Sequence, residues 1–154
     1  MTTELLAPAG GQEALVAAVQ SGADAVYMGF GAFNARRSAR NFSDEEFRAA
    51  VSYCHLRGVK VYLTLNTLVT DRELPALAAE ARTASECGVD AILVQDWGVL
   101  ATLQKIIPDV PLHASTQMSL HTLSGVAEAT RLGMTRAVLA RELSRGGTAK
   151  FCEV

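Results

Sequence analysis

Four polar clusters stand where apolar runs end, and their side chains are the ones in this chain that could do chemistry. The richest is His113-Ala114-Ser115-Thr116-Gln117, which gathers imidazole, hydroxyl and amide groups. Thr64-Leu65-Asn66, Gln95-Asp96 and Arg141-Glu142 close three other runs. A hydroxyl beside an imidazole is the material of nucleophilic catalysis, in which the imidazole takes the proton as the oxygen attacks a carbonyl. His113 and Ser115 are spaced to point the same way from an extended strand, which makes them the candidate catalytic pair, with Thr116 as a second hydroxyl. The plainer alternative is an interior histidine held by hydrogen bonds. Asn66, Gln95 and Gln117 both donate and accept hydrogen bonds, so they suit recognition of a substrate better than proton transfer. Arg141 and Glu142 either bind substrate or pair with neighbouring charges.

A fifth candidate is the stretch from Gly31 to Asn41, which carries Phe33, Asn34, Arg36, Arg37 and Arg40. Its guanidinium groups could grip a carboxylate or phosphates, and Phe33 could stack on a ring. The plainer reading is a solvated loop anchored by Phe33 and Phe42. Asn34 and Arg36 are the substrate-binding candidates within it. Asp96 could act as a base, but its place just before Trp97-Gly98-Val99-Leu100 suits a helix N-cap, and Ser119 suits the same task for the next helix. Asp24, Lys60 and Asp90 begin strands, where structural roles are expected. The histidines, cysteines and acids show no metal-ligand spacing, so no metal site is assigned.

These clusters need a frame that puts strand ends side by side. The runs Gly22 to Gly29, Gly58 to Thr64, Gly88 to Val94 and Gly133 to Leu139 share one pattern: a glycine that stops a helix, then a short apolar strand. Ser43-Asp44-Glu45-Glu46 and Thr70-Asp71-Arg72-Glu73 have the form of capping boxes at helix starts. The pattern predicts six strands near 3–7, 24–30, 59–66, 90–95, 111–115 and 136–141. It predicts helices near 11–21, 43–57, 71–87, 97–107 and 119–132. In the third strand Val61, Leu63 and Leu65 alternate with Lys60, Tyr62, Thr64 and Asn66. One apolar face toward helices and one mixed face toward an interior favour a barrel over a sheet covered on both sides. The expectation is an α/β chain, an incomplete (β/α)8 TIM-type barrel of about six parallel strands over residues 1–144, followed by an atypical tail at 145–154. A complete barrel takes about 250 residues, so a truncated barrel is expected.

Composition narrows the function classes. The 154 residues are 49% hydrophobic and 19% charged, with a formal charge of −2, which supplies no whole-chain field for nucleic acid or an anionic membrane. The N-terminus lacks a signal-peptide pattern, and no apolar run is long enough to span a bilayer. A cytoplasmic protein with no membrane partner is expected. Cys54, Cys87 and Cys152 are odd in number and widely spaced, which reads neither as a disulfide framework nor as a paired metal site.

Six motifs in order carry a family resemblance: Leu6-Ala7-Pro8-Ala9-Gly10, Ser21 to Tyr27, Phe33-Asn34-Ala35-Arg36, Asn41-Phe42, Thr64-Leu65-Asn66-Thr67 and His113 to Met118. Over residues 4–144 the chain resembles the collagenase-like peptidases, family thirty-two among peptidases of unassigned mechanism. The resemblance implies a barrel at the N-terminus and a peptidase acting on peptides or polypeptides. It also implies an alternative, since several relatives are linked to hydroxylation of RNA bases or of a quinone precursor. Those use an iron–sulfur cluster held by downstream cysteines. No cofactor is therefore expected in this chain, and a cluster only in full-length relatives. The third alternative is a non-catalytic barrel remnant. Partners under these readings are a peptide or polypeptide substrate, RNA under the alternative, and a second copy of the chain through open sheet edges. Little activity is expected from the chain by itself.

Overall fold

The computed structural model describes residues 3–35 and 42–144, together with Thr148 and Phe151. Six short strands alternate with helices: β1 Leu6–Pro8, α1 Gln12–Gln20, β2 Ala25–Met28, α2 Asp44–His55, β3 Lys60–Leu65, α3 Leu74–Glu86, β4 Ala91–Val94, α4 Trp97–Ile106, β5 Leu112–Ala114, α5 Leu123–Arg131 and β6 Arg136–Ala137. A 3-10 turn, Thr116–Met118, follows β5. The strands form one sheet in the order β1-β2-β3-β4-β5-β6, and every neighbouring pair is parallel. The expected incomplete barrel is therefore present. Its helix stops are left-handed glycines: Gly22, Gly58, Gly88 and Gly133 have φ between 70° and 88°, a region that costs any residue with a Cβ.

Alternation along the strands separates two cores. Val26, Met28, Val61, Leu63, Leu65, Ile92, Val94 and Leu112 face outward and pack against Leu15, Phe47, Leu77 and Leu103 of the helices. Ala25, Tyr62, Ala91 and Leu93 form a second, inner cluster, joined by Leu6 from β1 and Val138 just beyond β6. The first and last strands thus feed one interior, which defines a curled sheet. They do not pair with each other among the described residues.

The lower end, where strands begin, is tied by charged groups. Asp24 Oδ2 accepts the Leu5 N–H at 2.7 Å, and Asp90 Oδ2 accepts the Val61 N–H at 2.8 Å while meeting His55 Nε2 at 2.9 Å. Each aspartate begins one strand and fastens the previous one. Glu4 pairs with Arg136, takes a hydrogen bond from the Tyr62 hydroxyl at 3.0 Å and lies 3.6 Å from Lys60 Nζ. This cluster bridges the gap between the two sheet edges from below.

The helix starts differ from expectation in two places. Ser43 and Glu46 make the expected reciprocal capping box. Glu73 does accept from Thr70 N and Oγ1, both at 2.8 Å, yet α3 begins only at Leu74. Pro75 lacks an N–H and has a fixed φ, so it belongs in a first turn, which moves the helix start downstream. Before α5 the cap is Thr122, whose side chain accepts from Gly125 N at 3.1 Å, rather than Ser119. Ser119 instead ends the 3-10 turn with φ 56°. Arg36, Arg37, Arg40, Asn41, Cys152 and most of the expected 145–154 tail lie outside the described residues. Phe151 is described and packs on the outer core.

Candidate functional site

A cavity of about 530 Å³ opens at the upper end of the curl, where the strands end. Asn34, Thr64, Asn66, Ser115, Thr116, Gln117 and Arg141 contribute polar side chains to it. Its size lies in the usual range for small-molecule pockets, and its place is where barrels of this kind carry their sites.

Asn66 organises the wall. It follows the last residue of β3, so strand alternation turns it inward with Tyr62 and Thr64. Its Oδ1 accepts the Ala35 N–H at 3.0 Å, and its Nδ2 donates to Ser115 Oγ at 3.0 Å. Ser115 is also the N-cap of the 3-10 turn, with its Oγ accepting from Gln117 N at 3.3 Å. One amide side chain therefore links the segment after β2 to the turn after β5. Asn34, only 2% exposed, packs on Gly29 so closely that a Cβ there would lie 2.5 Å from Asn34 Cγ. Thr64 Oγ1 is spent on the Met28 carbonyl at 3.1 Å.

His113 lies lower in the curl. It is 6% exposed, meets Tyr62 edge-on with ring centroids 5.0 Å apart, and is absent from the cavity wall. Burial, helped by the Arg136 and Lys60 charges and opposed by Glu4, pushes its imidazole down to about 4. No hydrogen bond joins it to Ser115, whose hydroxyl oxygen accepts from Asn66 Nδ2 and from the Gln117 backbone N–H. Gln95 also stays out of the wall. With each amide atom facing a complementary group, it donates to the Gln117 carbonyl and accepts from Leu68 N–H, both at 3.1 Å, which ties two loops together. Asp96 caps α4, accepting from Gly98 N at 2.7 Å and Val99 N at 3.0 Å. Glu142 is exposed and outside the wall, and Arg36 lies outside the described residues.

The structure thus gathers Asn34, Asn66, Ser115, Thr116, Gln117 and Arg141 in one cavity and leaves His113, Gln95 and Glu142 apart from it. No described histidine, acid, lysine or cysteine lines it. Tyr27, Gly29 and Ala35 also line it, although nothing in their types singles them out. An iron–sulfur cluster does not fit the described residues, among which no group of three or more metal-ligating side chains converges. Cys54 lies in the outer core with its thiol pushed up to about 11 by burial, far from the thiolate a cluster requires.

Sequence comparison adds relatives to this geometry. The chain is 41% identical over 143 residues to the 23S rRNA 5-hydroxycytidine C2501 synthase of Escherichia coli, covering 92% of the chain and 21% of that protein. It is 37% identical to the tRNA hydroxylation protein P1 of Bacillus subtilis and 34% identical to a collagenase of Porphyromonas gingivalis, covering 92% of the chain in each case and 33% and 34% of those proteins. The chain therefore spans about a fifth to a third of the length of these curated relatives. A solved U32 peptidase superposes with a TM-score of 0.75 at 17% identity, covering 99% of the chain and 65% of that structure, a likeness of fold. The profile of peptidase family U32 matches residues 10–151, and the chain belongs to that family.

Proposed function

We propose that this chain is the base-binding barrel portion of an RNA hydroxylation protein, and that its cavity receives an uncharged nucleobase. The cavity wall carries the argument. Its polar groups are amides and hydroxyls that can match the donors and acceptors of a base edge, with Arg141 at hand for a phosphate. Hydrolysis of a peptide would ask for a base beside a nucleophile. His113 is held neutral below the cavity, and Ser115 Oγ is committed to Asn66. The rRNA and tRNA hydroxylation proteins among the relatives support the same direction.

In this reading Asn66, Asn34 and Gln117 orient the base, Arg141 binds its phosphate, and Ser115 is a hydrogen-bonding wall residue. Gln95 positions Gln117 from behind. The second reading, a peptidase with Ser115 and His113 as its reacting groups, is favoured by the similarity to a collagenase. One experiment separates them. Single-stranded RNA and a labelled gelatin peptide are offered to the 154-residue chain and to Asn66→Ala and Arg141→Ala variants. RNA binding that weakens in both variants, with no peptide cleavage, supports the base-binding reading. Cleavage abolished by Ser115→Ala, with no RNA binding, overturns it.

A further inference from the structure

We propose that Glu80, which lies outside the cavity, is a positioning residue for it: by holding the Gly31–Ala32 turn against α3, it sets where Asn34 and Ala35 stand in the wall. The inference goes beyond the choice of substrate and holds for either reading of the site. Glu80 occupies the inward stripe of α3, three residues after Leu77 and four before Ala84, both fully buried. An acid there is costly unless it has a task. Its Oε2 accepts the Ala32 N–H at 3.2 Å. Gly31 has φ 65°, and a Cβ on it would lie 2.3 Å from the same oxygen, so the turn and the carboxyl touch. From that turn the chain runs directly to Asn34 and to Ala35, whose N–H is held by Asn66. The route from α3 to the cavity is thus one continuous run of backbone.

The hold is linked to a proton. Glu80 Oε1 is buried with no hydrogen-bond partner among the described residues, and Asp44 in the first turn of α2 adds a like charge. Burial first, then Asp44, lifts the carboxyl from its ordinary 4.5 to about 7, against the Ala32 N–H, which favours the anion. With the turn packed, the carboxyl keeps a proton that it releases near its ordinary value when the turn lifts and water reaches it. Packing is therefore strongest at acid pH. It weakens as pH rises from about 4.5 to about 7, then levels off.

The test is amide hydrogen exchange of the whole chain, read as opening constants after correction for intrinsic rates. For Ala32 and Ala35 the opening constant is expected to rise on the order of tenfold between pH 5.5 and 7.5, while amides of β3 and β4 do not follow. Glu80→Gln keeps an acceptor for Ala32 without a charge, so it is expected to stay protected and flat with pH. Glu80→Ala is expected to be open and flat. A merely structural role would move all amides together and leave the pH profile unchanged in Glu80→Gln. Should a variant fail to fold, the Glu80 carboxyl carbon of the unaltered protein is titrated by NMR. A midpoint near 7 supports the proposal. A midpoint near 4.5, or wild-type exchange at Ala32 that is flat with pH, overturns it.

Discussion

Asn66 Nδ2 donates to Ser115 Oγ at 3.0 Å, joining the end of β3 to the cap of the turn after β5 across the mouth of the curl. The bond skips β4, and its amide oxygen simultaneously holds Ala35. Three separate segments therefore depend on one side chain for their relative placement.

That relationship sets the first prediction. Asn66→Ala removes both bonds and leaves the buried Ser115 hydroxyl without its donor, so it should cost about 1–3 kcal/mol. Ser115→Ala should cost less, and the double variant should fall short of the sum by about 0.5–1.5 kcal/mol. Urea unfolding of the four proteins measures the cycle. Strict additivity would show that the two side chains do not support each other.

Glu4 and Arg136, 132 residues apart, predict an acid-side dependence. The Arg136 guanidinium, together with the Tyr62 hydroxyl and the Lys60 charge, holds the Glu4 carboxyl below its ordinary range despite partial burial. A carboxyl depressed in the folded state stabilises above its unfolded value and loses that contribution as pH falls through the folded value. Glu4→Gln should therefore be less stable at pH 7 by about 1 kcal/mol. The gap to the unaltered protein should close below about pH 4.5. Thermal unfolding across that range checks it, and a gap that stays constant to pH 3 would remove Glu4 from the account.

How much of this was legible in the sequence follows from distance along the chain. The six strands and their order are written locally, because a glycine stop and a β-branched run recur in each unit. Pro75 and Thr122 are local too, but each competes with a plausible cap a few residues upstream, and the competition is settled only by packing. The inward direction of Asn66 follows from alternation with Thr64. Gln95 stands one residue past β4 as Asn66 does past β3, so alternation alone does not separate them; the loops that Gln95 ties together keep it out of the wall. The Glu4, Tyr62 and Arg136 cluster depends on how far the sheet curls, which no local signal carries. Glu80 had a readable signal, an acid on the apolar stripe of Leu77, Ala81 and Ala84.

His113 predicts a second, separate pH window. Its imidazole is pushed down to about 4 by burial, so the folded protein resists charging it while the unfolded chain takes a proton near 6.5. A depressed folded value stabilises above the unfolded one. Stability should thus be full above about pH 6.5 and decline as pH falls to about 4, by on the order of 2–3 kcal/mol. His113→Phe keeps an aromatic contact for Tyr62 and removes the titration. Its urea midpoint should be flat over that window, apart from contributions shared with the unaltered protein. A wild-type imidazole that titrates by NMR near 6.5 would contradict the burial argument and restore His113 as a base at neutral pH.

Gly31 and Gly22 make a matched pair for the last prediction, since both have positive φ, 65° and 85°, but differ in surroundings. Nothing lies within 4 Å of a Cβ placed on Gly22, so Gly22→Ala meets only the left-handed backbone cost, roughly 1–2 kcal/mol. At Gly31 the same methyl meets the Glu80 carboxyl at 2.3 Å. Glu80 can swing away only by giving up the Ala32 N–H, and its carboxyl then reaches water. Gly31→Ala should therefore lose clearly more stability than Gly22→Ala and bring the Glu80 carboxyl back toward 4.5. Denaturant unfolding measures the first effect and carboxyl NMR the second. Equal losses at the two glycines, with Glu80 still titrating near 7, would mean that the Gly31 turn and α3 are not in the contact on which the positioning role depends.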